Sequence, residues 1–291
     1  MVHALTWMRE DAPYMPIAAI GLLAALGEAG ATLGWNDGVL ELDAAADIDA
    51  VATAILEAPL PDVSAVGWPT RNPQALGPAL LKTDDPLATY RTLVRDAGPL
   101  ERRLLRAIAT DQVINEQVPA RTRLLRGAKS DITAFAPLRR TTARELAEEL
   151  ADGPRFKPGK SGVGLGLVPE VQTFGGTTGR EASSVGAESA LLARLLRHGI
   201  LELPPTGCLR RGRRREVGGP LVSDAGELSW PVWTVPCDRR SLRVLFGLAC
   251  VHVDVPEPSA LAAAGVGAVY RSAAHQLSTT VAVFRFGRRV A

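Results

Sequence analysis

The sequence predicts an α+β fold, with a short amino-terminal helix–hairpin–helix unit, a helical middle and a mixed α/β carboxyl-terminal part. Three observations carry this. Apolar residues recur at helical spacing in stretches such as 17–26 and 184–198. Turn-bounded apolar runs at 32–42 and 227–235 read as strands. Apolar residues make up 46% of the 291, and mean hydropathy is +0.08, enough to pack a core.

Taken in order, residues 3–8 are short and mixed. Pro13 and Pro16 then precede an alanine- and leucine-rich run from Ile17 to Leu26, which reads as a buried helix whose Gly21 implies close packing. Thr32–Trp35 and Val39–Leu42 flank Asn36-Asp37-Gly38, a turn sequence that accepts positive φ, so a hairpin is expected. Asp47 can cap a second helix with Ile48, Val51, Ile55 and Leu56 on one face. Five prolines between Pro59 and Pro78 make a rigid connector.

Helices are expected from Thr83-Asp84-Asp85-Pro86 to Ala97 and from Pro99 to Thr110. Another, over 141–150, opens with a Thr142–Glu145 capping box. The glycine-rich stretch Asp152–Gly179 is the largest irregular segment. Ser184–His198 reads as an amphipathic helix stopped by Gly199, its apolar side formed by Val185, Ala187, Leu191, Leu192, Leu195 and Leu196. A strand over Glu227–Val235, a helix over Arg239–Cys250 capped by Asp238, a helix over Ser259–Ala264 and strands over Val266–Arg271 and Thr279–Arg285 complete the chain. Residues 1–152 and 153–291 form two parts, in one or two closely packed domains.

Charge divides the chain unequally. Residues 1–90 hold twelve acids against Arg9, Arg71 and Lys82, a balance of −9, so the rest carries +11 of the net +2. That asymmetry suits an amino-terminal part facing protein or solvent and a later part facing a polyanion. Arg210, Arg211, Arg213, Arg214 and Arg215 crowd five guanidiniums into six positions, which repel one another unless solvent or anions separate them, and phosphate contact is expected there. Arginine also outnumbers lysine throughout, with only four lysines, a preference that a GC-rich genome produces without any nucleic-acid role. Arg103 with Arg106, Arg194 with Arg197, and Arg240 with Arg243 fall on single helix faces that could track a backbone, or could pair with nearby acids such as Glu101 or Glu188.

Other chemistry is thinly represented. Gly159-Lys160-Ser161 resembles the end of a phosphate loop, but Gly153 lies six positions before Gly159 where the motif needs five. An anion-binding loop using Lys157, Lys160 and Ser161 within 157–166 stays open, and with it a nucleotide- or phosphate-binding enzyme. His3, His198, His252 and His275 are scattered, no Cys-x-x-Cys or His-Glu-x-x-His occurs, and no metal or other cofactor is expected. Cys250 and His252 share a side if their stretch is extended, although Cys250 reads better as core and His198 as facing the carbonyl end of its helix. Asp84-Asp85 reads as a helix start and Glu148-Glu149 as a solvated face, and no Gly-x-Ser-x-Gly marks a nucleophile. Cys208, Cys237 and Cys250 fit reduced thiols, no stretch reaches membrane-spanning length, and the amino terminus lacks a leader pattern, so a cytoplasmic location is expected.

Three segments carry a family resemblance: 16–26 followed by Leu33-Gly34-Trp35, Trp230-Pro231-Val232-Trp233-Thr234-Val235-Pro236, and Gly265-Val266-Gly267-Ala268-Val269-Tyr270-Arg271-Ser272. In these the chain resembles accessory and large-subunit-like proteins of the type I-G (formerly I-U) CRISPR systems, particularly the helicase-extension family. The resemblance implies a non-catalytic subunit that works with an RNA-guided complex or its helicase-nuclease partner, contacting RNA or DNA backbone or protein. It carries no active-site residue. A structural partner-binding protein without nucleic-acid contact is the remaining reading.

Overall fold

The computed structural model describes residues 1–12, 15–27, 30–61, 85–108, 138, 140–153, 189–202, 227–272, 274–278, 281–284 and 286–291. The fold is α+β, as the sequence predicts. Strands β1 (Val2–Arg9), β2 (Thr32–Asn36) and β3 (Val39–Asp43) make an antiparallel sheet in the order β1-β3-β2. Asp37 and Gly38 turn β2 into β3 with φ of 49° and 78°, the pair of positive values that a two-residue hairpin with natural strand twist needs. The sequence does not single out β1 as a strand. Its pairing with β3 slips between Leu5 and Arg9, and such a slip breaks the two-residue period that would reveal a strand.

Helix α1 (Met15–Leu26) follows β1 and is buried from Met15 to Leu23. Helix α2 (Ile48–Glu57) is capped as expected, the Asp47 carboxylate accepting the Ala50 N–H at 2.8 Å, and buries Val51, Ala52 and Ile55. Asp85, Pro86 and Pro99 start α3 (Pro86–Asp96) and α4 (Pro99–Ile108). The predicted capping box opens α5 (Ala143–Asp152): Thr142 Oγ1 accepts the Glu145 N–H at 3.2 Å while Glu145 Oε2 accepts the Thr142 N–H at 2.9 Å. Most of the proline-rich connector and of the glycine-rich stretch lies outside the described residues.

Helix α6 (Ala190–Glu202) departs from its prediction in two ways. Gly199 does not stop it, because that glycine is spent on letting the helix backbone touch α1, and the helix runs on to Glu202. It is also buried nearly all round rather than on one side, only Arg194 being half-exposed, since α1, α2, α4 and α5 all pack on it. The amino-terminal residues of that predicted helix, with Val185 and Ala187, lie outside the described residues.

The carboxyl-terminal part holds β4 (Leu228–Trp233), α7 (Arg239–Gly247), the single turn α8 (Ala249–His252), α9 (Pro258–Ala263), β5 (Val266–Ser272), the hairpin β6 (Ala274–Ser278) and β7 (Val281–Phe284), and β8 (Arg288–Arg289). The predicted helix over 239–250 therefore breaks at Leu248. Strands β4, β5 and β8 form a second antiparallel sheet, with the proline Pro231 on its edge strand, where a missing N–H costs no ladder bond. Leu33 in β2 and Cys237 exchange backbone hydrogen bonds of 2.9 and 2.8 Å, joining the two halves. Trp233 Nε1 donates to Leu33 O at 2.7 Å and Trp230 Nε1 to Glu10 O at 2.8 Å, and the buried apolar residues from both sides of residue 152 form one cluster.

One acidic pair corrects the sequence reading. Glu148 is solvated and pairs with Arg144, but Glu149 is buried. Its Oε2 accepts from the Ser189 hydroxyl at 2.8 Å and from the Leu191 N–H at 3.1 Å, and Ser189 Oγ accepts the Leu192 N–H at 3.0 Å. A carboxylate thus sits against the positive end of α6, held by a serine cap. Replacing Glu149 by alanine is expected to lower stability by about 2 kcal/mol, because two buried donors lose a charged acceptor. Glu148→Ala should cost under about 0.5 kcal/mol. Urea midpoints of the two variants check this, and equal losses would contradict it.

Candidate functional site

The carboxyl-terminal end of α6 gathers the densest charge among the described residues. Glu202 is its last residue and only 1% of its side chain is exposed. Leu201 and Leu196 are buried beside it in the chain, so the carboxylate is carried into the core by an apolar helix and needs partners there. Arg239, the first residue of α7, supplies two parallel hydrogen bonds, Nε to Oε2 at 2.8 Å and Nη2 to Oε1 at 2.8 Å. Arg103 from α4 donates from Nη2 to the same Oε1 and to the Leu201 carbonyl, the latter at 3.1 Å. Arg243, one turn along α7, stands with Nε 3.7 Å from Oε2, too far for a hydrogen bond but close enough for attraction.

Three guanidiniums therefore meet one carboxylate. They remain partly open to water, Arg103 at 37%, Arg239 at 31% and Arg243 at 48% exposure, while the carboxylate beneath them is closed off. Burial by itself raises the Glu202 carboxyl, but the hydrogen bonds and charges of Arg239 and Arg103 outweigh it and hold it below the ordinary glutamate value. Within α6 the field is positive as well. His198 is 4% exposed with Nε2 unbonded, and burial together with Arg194 and Arg197 pushes it down to about 4. Burial and then Arg194 lower Arg197 to about 10.

These positions revise several expectations. Arg194 and Arg197 do share a region of α6, yet Arg197 is buried and Arg194 donates to the Leu56 carbonyl at 3.2 Å, so this face cannot track a backbone. His198 lies inside the helix rather than at its carbonyl end. Arg103 pairs with Glu202, ninety-nine positions away, and not with Glu101; the Arg106 side chain lies outside the described residues. Arg102 caps α3 through the Val94 and Ala97 carbonyls, each at 3.0 Å. Arg240 and Arg243 are exposed on α7, in keeping with their predicted shared face. Cys250 and His252 sit on the helical turn α8, where two positions apart means nearly opposite directions, and His252 Nε2 bonds the Phe246 carbonyl at 2.9 Å.

Arg210, Arg211, Arg213, Arg214 and Arg215, and likewise Lys157, Lys160 and Ser161, lie outside the described residues. Glu202 is the candidate site residue that sequence reasoning passed over. Its signal was a lone acid in an apolar run, Ile200-Leu201-Glu202-Leu203, four positions after His198. Among the described residues no group of three or more His, Cys, Asp or Glu is placed to hold a metal ion, and no helix is long and apolar enough to cross a membrane. No protein-family model and no curated protein matches the chain.

Proposed function

We propose that this protein is a non-catalytic accessory subunit that binds nucleic-acid backbone in RNA-guided, type I-G CRISPR antiviral defence. The observation that carries the backbone-binding reading is the excess of cations at Glu202: three part-exposed arginines from α4 and α7 share a single buried acid. A solvated surface pair would use one arginine per carboxylate, whereas here Arg243, half-exposed and beyond hydrogen-bond distance of Glu202, presents its guanidinium to phosphate. Arg210, the first of the richest arginine run, follows Glu202 by eight positions in the sequence. The family part of the proposal rests on the three resemblant segments, which supply α1, β2, β4 and β5. All four contribute to one core, so what the likeness covers is scaffold, with the arginines set upon it.

Exchanging Arg210, Arg211 and Arg213 together for alanine is expected to weaken binding to single- and double-stranded oligonucleotides. It should also flatten the plot of log K against log salt by about 0.7 to 0.9 per lost contact. Fluorescence anisotropy at several salt concentrations measures both. Affinity and slope equal to those of the unaltered protein would refute the assignment, and co-purification with an acidic protein but never with nucleic acid would favour a partner-binding role.

A further inference from the structure

We propose that strand β1 is a self-association edge, along which a second copy of this chain pairs antiparallel about a two-fold axis. The alternation of sheet bonds carries this. Leu33 in β2 gives its outward N–H and C=O to Cys237, so β2 bonds β3 through Thr32, Gly34 and Asn36, opposite Asp43, Glu41 and Val39. Leu40 and Leu42 of β3 are left to bond Leu5 and His3 of β1, in step with the Ala44 N–H that donates to the Met1 carbonyl at 3.0 Å. The N–H and C=O groups of Val2 and Ala4, and by the same alternation of Thr6, therefore point away from the sheet. Among the described residues they meet no hydrogen-bond partner, and β1 ends the order β1-β3-β2.

Other edges are occupied or blunted. Cys237 takes up the outer side of β2 at Leu33, and Pro231 removes an N–H from β4. Strand β1 has no such device: from Val2 to Met8 it contains no proline, lysine, arginine, aspartate or glutamate. Val2 is 62% exposed and Met1 60%, and Ala4 and Thr6 are exposed beside them. A strand without charge is complementary to itself, since antiparallel pairing about a two-fold sets it against its own sequence with no like charges opposed. Centred on Ala4, that pairing places Val2 opposite Thr6 of the second copy and the two alanines opposite each other, joined by about six backbone bonds. Val and Thr suit neighbouring strand positions, and alanine lets the strands approach at the axis. The slip of β1 after Leu5 bends the strand, so the pairing stops near Thr6 and the interface is short.

Pairing along β1 uses none of the arginines at Glu202 and does not depend on nucleic-acid binding. A short interface is weak, and the dimer is expected to form with a Kd of about 10 to 100 μM. Sedimentation equilibrium of the full chain between about 2 and 300 μM measures it. Ala4→Pro should abolish the dimer, because the ring deletes the central donor. It should keep the fold, because the Ala4 N–H makes no bond to β3, and a thermal melt verifies that. Ala4→Lys and Ala4→Glu should each weaken association about fivefold by setting like charges opposite one another, and mixing the two variants should restore it as a heterodimer. Amide exchange identifies the occupant: the Val2, Ala4 and Thr6 N–H groups should be protected at the high end of the concentration range and exchange freely on dilution.

A chain that stays monomeric throughout that range would overturn the self-pairing, and so would a dimer that Ala4→Pro leaves intact. Protection of the three amides that does not change with concentration would place a segment of the same chain on the edge. A monomer that instead takes up a strand from another protein would show a foreign partner, and either outcome would overturn the second copy as occupant. Should the proline variant melt early, the charge-exchanged pair decides the matter, because its residues lie on the exposed face of β1. Lysine and glutamate variants that pair no better mixed than alone would overturn the register centred on Ala4.

Discussion

Gly21→Ala is expected to destabilise the protein by at least about 3 kcal/mol, although in an open helix interior the same change stabilises by up to about 1 kcal/mol. The sign reverses because α1 and α6 meet backbone to backbone. A Cβ built on Gly21 overlaps the Leu195 carbonyl oxygen and stands 2.8 Å from the Gly199 nitrogen. The contact is reciprocal, since a Cβ on Gly199 overlaps the Ile17 carbonyl and comes within 2.7 Å of Ile17 Cγ2. Ile17 and Gly21 are one turn apart on α1, as are Leu195 and Gly199 on α6, so the two helices touch over a full turn. A methyl group there meets a main-chain oxygen that no rotamer change can move, and the helices must part.

Parting them opens the centre of the large apolar cluster, against which β2, α2 and α7 also pack. With total stability of order 5–15 kcal/mol, a loss near 3 lowers the melting temperature by several degrees, and Gly21→Leu should not fold. Gly34→Ala is the internal control. Its Cβ finds Pro236 Cγ at 3.6 Å, an ordinary contact, so its cost should stay below about 1 kcal/mol. Urea unfolding of the two variants decides the matter, and Gly21→Ala as stable as the unaltered protein would refute the close crossing.

That crossing shows what the sequence made legible. Ile17–Leu26 reads as a buried helix, and its glycine as a close contact, because alanine, leucine and glycine at those spacings have few other uses. The Asp47 and Asp238 caps, the Thr142–Glu145 box and the Asp37-Gly38 turn are local rules, and each holds in the structure. What stayed hidden needed distant partners. Gly199 reads as a helix stop until α1 is laid against it. Glu149 reads as solvated until Ser189 and Leu191 arrive, and Glu202 becomes the centre of a charge cluster only once α4 and α7 bring in Arg103, Arg239 and Arg243. Charge runs such as Arg210–Arg215 are visible in one dimension, whereas a charge cluster built from 103, 202, 239 and 243 is not.

Acid is expected to unfold this protein in two separable stages. His198 is buried and neutral in the fold, its value pushed to about 4 by burial and by Arg194, Arg197 and Arg239 against the pull of Glu202. Unfolded, it returns to about 6.5 and binds a proton that the native state refuses. Stability from this histidine is therefore full above pH 6.5 and is lost as pH falls toward 4, on the order of 3 kcal/mol across that window. Glu202 acts lower down. Its folded value lies below the unfolded 4.3, so its contribution is present above that pH and disappears as pH drops further. His198→Leu should flatten the slope between pH 6.5 and 4 at little cost at pH 7, because Nε2 loses no hydrogen bond. Glu202→Gln should instead cost about 3 kcal/mol already at pH 7, the lower end for breaking a buried ion cluster, since Arg103 and Arg243 can turn toward water. It should leave the histidine stage in place, because removing the carboxylate removes the one charge that favours His198 protonation. Unfolding free energies measured in urea from pH 3.5 to 7.5 separate the stages, and a His198→Leu variant that retains the upper slope would show that the histidine does not carry it.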